Sequence, residues 1–411
     1  MHVRFLRLPG VALAVSLLLA GCSGGGSAPG AAGAQATPTA PPLKVVSVAP
    51  LTLSGTTPVV VTFRRPLTND SPLPTFDPAV PGDWERAGSV ATFTPEQAYP
   101  PSTTFHLQLA RRAGAVPRTI ATPVSEPGSL RFANQILARL HYLPLDTKAA
   151  PPASPADEAA AVYDPPPGGF SWRYADTPDT IVHDWKPGKP NVVLRGAVIA
   201  FQHQHHLRQD GAIGPATWKE LLQADLDQAV NPDRYSYVSA NLYLPQKLSV
   251  WVDGKTELTT AVNGGVAAAP TPLGTYPVYL RYTATTMQGT NPDGTKYKDK
   301  GVPWVNYFSG GSAVHGFERT SYGYPQSVGC LELPPSVAKQ VYDMIDYGTL
   351  VTVAGPYVKP PKVGKPSPPA TPNPKHHRHP KPTASPSSTA SPELSETPAA
   401  SSSPSSKPKP T

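Results

Sequence analysis

The hydrophobic period changes twice along this chain, and each change marks a boundary that one type of secondary structure cannot cross. From Lys44 to about Pro123 apolar residues alternate with polar ones. Val59, Val61 and Phe63 form one set and Phe105, Leu107 and Leu109 another, with Pro- and Gly-rich turns between them. A period of two marks half-buried strands. From Ser129 to about Asp227 the period becomes helical, with Phe132, Ile136, Leu137 and Leu140 on one face and Leu194, Val198 and Phe201 on another. Pro215 is well placed to open a further helix ahead of Trp218, Leu221 and Leu222. From Tyr235 to Val353 alternation returns. Leu248, Val250 and Val252 lead into Asp253-Gly254, a strong hairpin turn, and Leu258 to Val262 forms the returning strand. The chain therefore reads as multidomain and mainly β, with a small helical unit between two β units.

The ends are of a different kind. Arg4 and Arg7 precede an apolar run, Val11 to Ala20, that is too short to span a bilayer. The run closes on Leu19-Ala20-Gly21-Cys22, which resembles a bacterial lipobox, so residues 1–21 are expected to be a lipoprotein signal peptide and Cys22 the lipidated N-terminus. Two acyl chains suffice for stable anchoring. Residues 22–43 are rich in Gly, Ser, Ala and Pro and read as a flexible linker. Residues 358–411 are Pro, Ser, Thr, Ala and Lys with almost no large apolar side chains, and are expected to be disordered. Of the formal charge of +7, that tail carries +6 and the two leading arginines +2, which leaves −1 on the body. A near-neutral body argues against nucleic-acid binding. The expected partners are instead an anionic wall polymer for the tail and a membrane for Cys22.

With Cys22 consumed by lipid, Cys330 has no disulfide partner and stands out as a reactive thiol. It closes Ser327-Val328-Gly329-Cys330, and His315-Gly316 lies a short way upstream as a source of base. The ordered set Thr271-Pro272-Leu273-Gly274-Thr275, His315-Gly316, Ser327-Val328-Gly329-Cys330 and Gly348-Thr349-Leu350-Val351-Thr352 resembles the L,D-transpeptidase catalytic domain along about 120 residues. Gly82-Asp83-Trp84 through Phe93-Thr94-Pro95 resembles the bacterial immunoglobulin-like modules that precede wall enzymes. Ala197 to Gln202, Asp210-Gly211, Gly214-Pro215 and Thr217-Trp218 resemble the three-helix peptidoglycan-binding module, interrupted by a Pro-rich insert from about Lys148 to Pro190 that carries Trp172, Tyr174 and Trp185. The expected division is an Ig-like β-sandwich over 44–125, a peptidoglycan-binding-like helical module over 126–230 and a catalytic domain over 231–357.

The resemblance implies that Cys330 is the nucleophile, His315 the base and later the acid, and the Gly316 carbonyl the group that orients the imidazole. Gly329 allows close backbone approach, and its N–H and that of Cys330 form an oxyanion hole. Substrate contacts are expected at Ser327, which also braces the turn, and at Tyr297 and Trp304 in a long loop from Met287 to Trp304 that would cover the site. Two positions depart from the family's commonest form, Val328 for a histidine and Glu332 for an arginine or asparagine. Glu332 either faces an anionic group of the stem peptide or pairs with Arg319. The implied reaction forms 3→3 crosslinks from peptidoglycan stem tetrapeptides through a thioester, without metal or organic cofactor, outside the cytoplasmic membrane. A carboxypeptidase or exchange enzyme, and a wall-binding tether that has lost turnover, remain the alternatives.

Overall fold

The structure, a computed structural model, describes residues 42–112 and 114–356. The expected signal peptide, the expected lipid site Cys22, most of the expected linker and the C-terminal tail lie outside the described residues. Within them the chain is mainly β, with six α-helices.

The first β unit holds β1 (Val45–Ala49), β2 (Thr52–Leu53), β3 (Val59–Phe63), β4 (Thr75–Asp77), β5 (Gly82–Ala87), β6 (Val90–Pro95), β7 (His106–Leu109), β8 (Arg118–Ala121) and β9 (Val124–Ser125). A four-stranded sheet, β1-β3-β6-β5, packs on a three-stranded one, β4-β7-β8. The alternating residues meet as expected: Val59, Val61 and Phe63 of one sheet share a core with Leu107 and Leu109 of the other. Phe76 fills the space between the sheets, tilted against Phe93 at 4.8 Å and edge-on to Phe105 at 5.8 Å. Leu43 is already part of this core, so the packed body begins just inside the expected linker.

The helical unit comprises α1 (Leu130–Arg139), β10 (Leu145–Thr147), α2 (Pro155–Ala161), β11 (Phe170–Trp172), α3 (Asp179–Asp184), α4 (Val192–Gln204) and α5 (Pro215–Leu226). Local chemistry sets the helix starts. Asn191 caps α4 by accepting the Leu194 N–H at 2.9 Å, Ser154 caps α2, and Pro215 takes the first position of α5. Phe132, Ile136 and Leu137 of α1 bury against Val198 and Phe201 of α4 and Trp218 and Leu221 of α5. The Pro-rich insert supplies α2, β11 and α3. Trp185 is buried in the helical core, Trp172 and Tyr174 pack partly buried against it, and Tyr174 donates a 2.7 Å hydrogen bond to Asp253.

The last unit comprises β12 (Ser236–Asn241), β13 (Lys247–Val252), β14 (Lys255–Ala261), β15 (Gly274–Pro277), β16 (Leu280–Thr290), β17 (Lys296–Ser309), β18 (Ser312–Gly316), β19 (Leu331–Leu333), α6 (Pro335–Met344) and β20 (Leu350–Ala354). Its sheets run β14-β13-β12-β20-β15 and β16-β17-β18-β19. Between them Val238, Val250 and Val351 meet Phe308, Val314 and Leu331, and Ala338 and Val341 of α6 join the same core. The segment expected to be a loop over the site is a long hairpin, β16 paired with β17. Its strands bury few apolar side chains at the far end, so the alternation reads there as polar throughout. The turn is set by Asp293, which accepts the Thr295 N–H at 2.9 Å, and by Gly294 at φ 90°.

The helical unit and the last β unit share one apolar cluster, to which Tyr237, Trp251 and Leu350 contribute from the β side. The joint is tightest where Gly196 of α4 meets Gly348 in the turn before β20. A Cβ on Gly348 would lie 2.2 Å from the Gly196 carbonyl oxygen, and Gly348 has φ +82°. Both the backbone conformation and the space therefore exclude a side chain. Gly348→Ala is expected to lower stability by about 2 kcal/mol or more, the sum of left-handed strain and overpacking. A denaturant midpoint equal to wild type would show that this backbone contact is not held in solution.

Candidate active site

The site is built on the parallel pairing of β18 with β19, which sets Val314 beside Leu331 and His315 beside Glu332. Cys330 stands one residue before β19. His315, Cys330, Glu332 and Tyr297 line one cavity of about 220 Å³, with Arg319 and Asp299 also on its wall. The β16–β17 hairpin supplies one side of it through Met287, Tyr297 and Asp299.

The turn that carries Cys330 is held by hydroxyls rather than by a regular strand. Ser327 donates to the Cys330 carbonyl at 2.7 Å and Thr271 donates to the same oxygen at 3.2 Å. Thr271 in turn accepts the Gly265 N–H at 2.8 Å. Gly329 has φ +101°, a left-handed conformation that a side chain would strain. Among the described residues neither the Gly329 N–H nor the Cys330 N–H donates to another protein group. Two backbone donors beside a thiol form an arrangement suited to a developing oxyanion.

His315 is 3% exposed, and its Nδ1 lies 3.0 Å from the Gly316 carbonyl oxygen. A carbonyl accepts only, so Nδ1 carries the proton and Nε2 is the basic nitrogen. Burial, the dominant cause, holds the imidazole below its usual pKa of 6.5, against the opposing pull of the Gly316 bond and the Glu332 charge. Burial also pushes the Cys330 thiol up to about 11. Both effects favour the uncharged thiol and the neutral imidazole over a charged pair. Where a Cys/His pair is better solvated, the imidazole takes the thiol proton and the cysteine pKa falls. The difference is physical: in a poorly solvated pocket the separated charges lack the solvation that would sustain them.

The expected substrate contacts fall out differently. Tyr297 faces the cavity from the hairpin. Ser327 is 1% exposed, so it braces the turn and is closed to substrate. Trp304 is not brought to the cavity. It has φ +57°, which breaks the alternation of β17 and turns the indole toward α6, where it packs 5.5 Å from the Tyr342 ring under Lys339. Glu332 is 4% exposed, and both of its oxygens accept from Arg319, at 2.8 Å from Nε and 2.9 Å from Nη2. Its carboxylate is consumed by that pair, which is the second of the two placements the sequence left open.

Three functional positions gave little warning in the sequence. Thr271 was visible only as part of its motif. Asn263 is fully buried, accepts the Gly323 N–H at 2.9 Å and donates to the Ser321 carbonyl, so it anchors the segment between His315 and Cys330. Asp299 sits in a polar run with nothing to distinguish it.

Residues 235–353 match the YkuD family model, described as an L,D-transpeptidase catalytic domain. Comparison with curated proteins gives no match. Among solved structures, the catalytic domain of an Enterococcus faecium L,D-transpeptidase is 30% identical, over 30% of this chain and 100% of that one, at a TM-score of 0.27. An L,D-transpeptidase from Mycobacterium smegmatis is 16% identical, over 76% of this chain and 100% of that one, at a TM-score of 0.27. L,D-transpeptidase 3 from Mycobacterium tuberculosis, in complex with a faropenem-derived adduct, is 16% identical over 75% of this chain and 97% of that one, at a TM-score of 0.26. On the matched segment, residues 235–353, the chain carries the acyltransferase-type catalytic domain of the L,D-transpeptidase family.

Proposed function

We propose that the protein is a cysteine-dependent L,D-transpeptidase that forms 3→3 crosslinks between peptidoglycan stem peptides. The observation that supports this reading is the placement of His315, whose Nδ1 lies 3.0 Å from the Gly316 carbonyl oxygen and whose ring lines one cavity with Cys330. In the proposed reaction Cys330 Sγ attacks the carbonyl of the bond before the terminal D-alanine of a tetrapeptide, and Nε2 takes the thiol proton. The Gly329 and Cys330 N–H groups hold the oxyanion. Collapse breaks the C–N bond, and imidazolium returns the proton to the leaving D-alanine amine, leaving a thioester on Cys330. The side-chain amine of a second stem attacks that thioester, gives its proton to His315, and restores the thiol.

The rest of the chain fits a wall setting. In this reading residues 44–125 act as a spacer, residues 126–230 contact glycan, and residues 231–357 perform the chemistry. No helix of the described residues is long and apolar enough to cross a membrane. Attachment to the outer face of the membrane is assigned to lipid on Cys22. Cys22→Ser is expected to move the protein from the membrane to the soluble fraction. Retention that only detergent releases would place the anchor elsewhere.

Incubation with disaccharide tetrapeptide and mass analysis of the products tests the reaction. A dimer lighter by one D-alanine supports crosslinking. A tripeptide alone would assign a carboxypeptidase, and unchanged substrate would leave only a wall-binding role.

A further inference from the structure

Beside the reacting thiol, the cavity wall carries two charged groups that the proposed chemistry does not use. Arg319 is held flat. Its Nε and Nη2 donate to Glu332, Nη2 also reaches the Gln326 carbonyl at 3.4 Å, and its guanidinium carbon lies 4.6 Å from the centre of the Phe317 ring. This leaves Nη1 with no hydrogen bond among the described residues, while the Arg319 side chain keeps 30% of its surface exposed. A guanidinium fixed on one edge by a buried carboxylate and on one face by a ring is pre-organised to receive a second carboxylate on its open edge. Glu332 is thus a positioning residue for Arg319.

Asp299, half-buried on β17, lines the same cavity, and its carboxylate forms no hydrogen bond or ion pair among the described residues. It is not paired with Arg319, although its charge helps keep that guanidinium protonated. A lone carboxylate on a cavity wall is a receiver for an ammonium group. Together the two residues put one open cation edge and one open anion on the wall of one cavity, and this suits a ligand that carries both charges.

We propose that Arg319 and Asp299 select the donor stem by its diamino acid, recognising a side chain that ends in an α-amino-acid head group, with the carboxylate on Arg319 and the ammonium on Asp299. The inference rests on the proposed function and sharpens it. A side chain ending in a bare amine satisfies only Asp299. One whose carboxylate is amidated replaces a charge-assisted bidentate pair by a neutral hydrogen bond, roughly half as strong. Glu332, which replaces the family's usual cationic or amide residue at its position, then keeps an anion receiver in the site by presenting Arg319.

The test compares three tetrapeptide donors on the full-length protein: one with the free head group, one with its carboxylate amidated, and one with its ammonium acetylated. The readout is kcat/KM for D-alanine release, expressed as ratios between donors. Wild type is expected to favour the free head group over each of the others by about tenfold. Because Arg319→Gln alone would strand a buried Glu332, the paired change Arg319→Gln with Glu332→Gln is used, and its fold is checked by thermal unfolding. It should collapse the carboxylate ratio and keep the amine ratio, whereas Asp299→Asn should do the reverse. Wild-type ratios near one, or both ratios collapsing together in either variant, overturn the assignment while the transpeptidase reading stands. Release of D-alanine from none of the three donors overturns that reading, and this inference with it.

Discussion

Cys330→Ala is expected to abolish acyl transfer: no crosslinked dimer should form, no D-alanine should be released and no thioester adduct should accumulate. Cys22 is the chain's other cysteine, and it is assigned to lipid, so no second thiol can substitute. The loss should be chemical and not structural. The Cys330 thiol makes only weak contacts, with the Ala313 backbone N–H and with the Gly311 carbonyl at 3.9 Å, whereas the turn around it is held by Ser327 and Thr271 through the backbone carbonyl, which alanine keeps. The variant should therefore unfold at nearly the wild-type temperature while turnover falls to background. Cys330→Ser retains a nucleophilic atom but one far harder to deprotonate, and should fall at least about a thousandfold, in line with the weakness of an unactivated hydroxyl. Persistent D-alanine release by Cys330→Ala would move the nucleophile elsewhere.

Much of this site was legible in the sequence because its parts are local. The Gly329 conformation, the Ser327 brace and the Gly316 bond to His315 each join residues at most three positions apart, and spacing carries that kind of information. The sandwich and the three main helices were legible for a similar reason, since period and caps are short-range signals. What escaped depends on distance in the chain. Asn263 reaches across to Gly323 and Ser321, and Thr271 to Cys330, through contacts that no pattern encodes. The β16–β17 hairpin escaped because a two-stranded ribbon with two polar faces has no hydrophobic alternation to read. Trp304 was misassigned because one left-handed residue turned it to the opposite face. The charge preference of Cys330 and His315 is not legible in spacing, because burial is a property of the fold.

That charge state sets the second large effect. His315→Ala is expected to slow acylation by about two to four orders of magnitude, the usual contribution of a positioned base. If thiol and imidazole rest uncharged, the wild-type rate depends on keeping the imidazole deprotonated. Activity should then fall as pH drops through the His315 pKa, and since burial lowers that value, the fall should come at a pH below 6.5. A preformed ion pair would behave differently, because its imidazolium would stay protonated through neutrality and the rate would follow thiolate formation. The same shift has a stability consequence whose sign is fixed. Below 6.5 the unfolded imidazole gains a proton that the buried native one refuses, so acid favours unfolding. The stabilisation is present above 6.5 and is lost as pH falls toward the native value. His315→Ala removes this linkage, so its unfolding free energy should decline less steeply than that of wild type between pH 6.5 and the native pKa. Parallel decline in both proteins, or an acid limb of activity at or above pH 6.5, would mean that the imidazole is solvated and the resting pair charged.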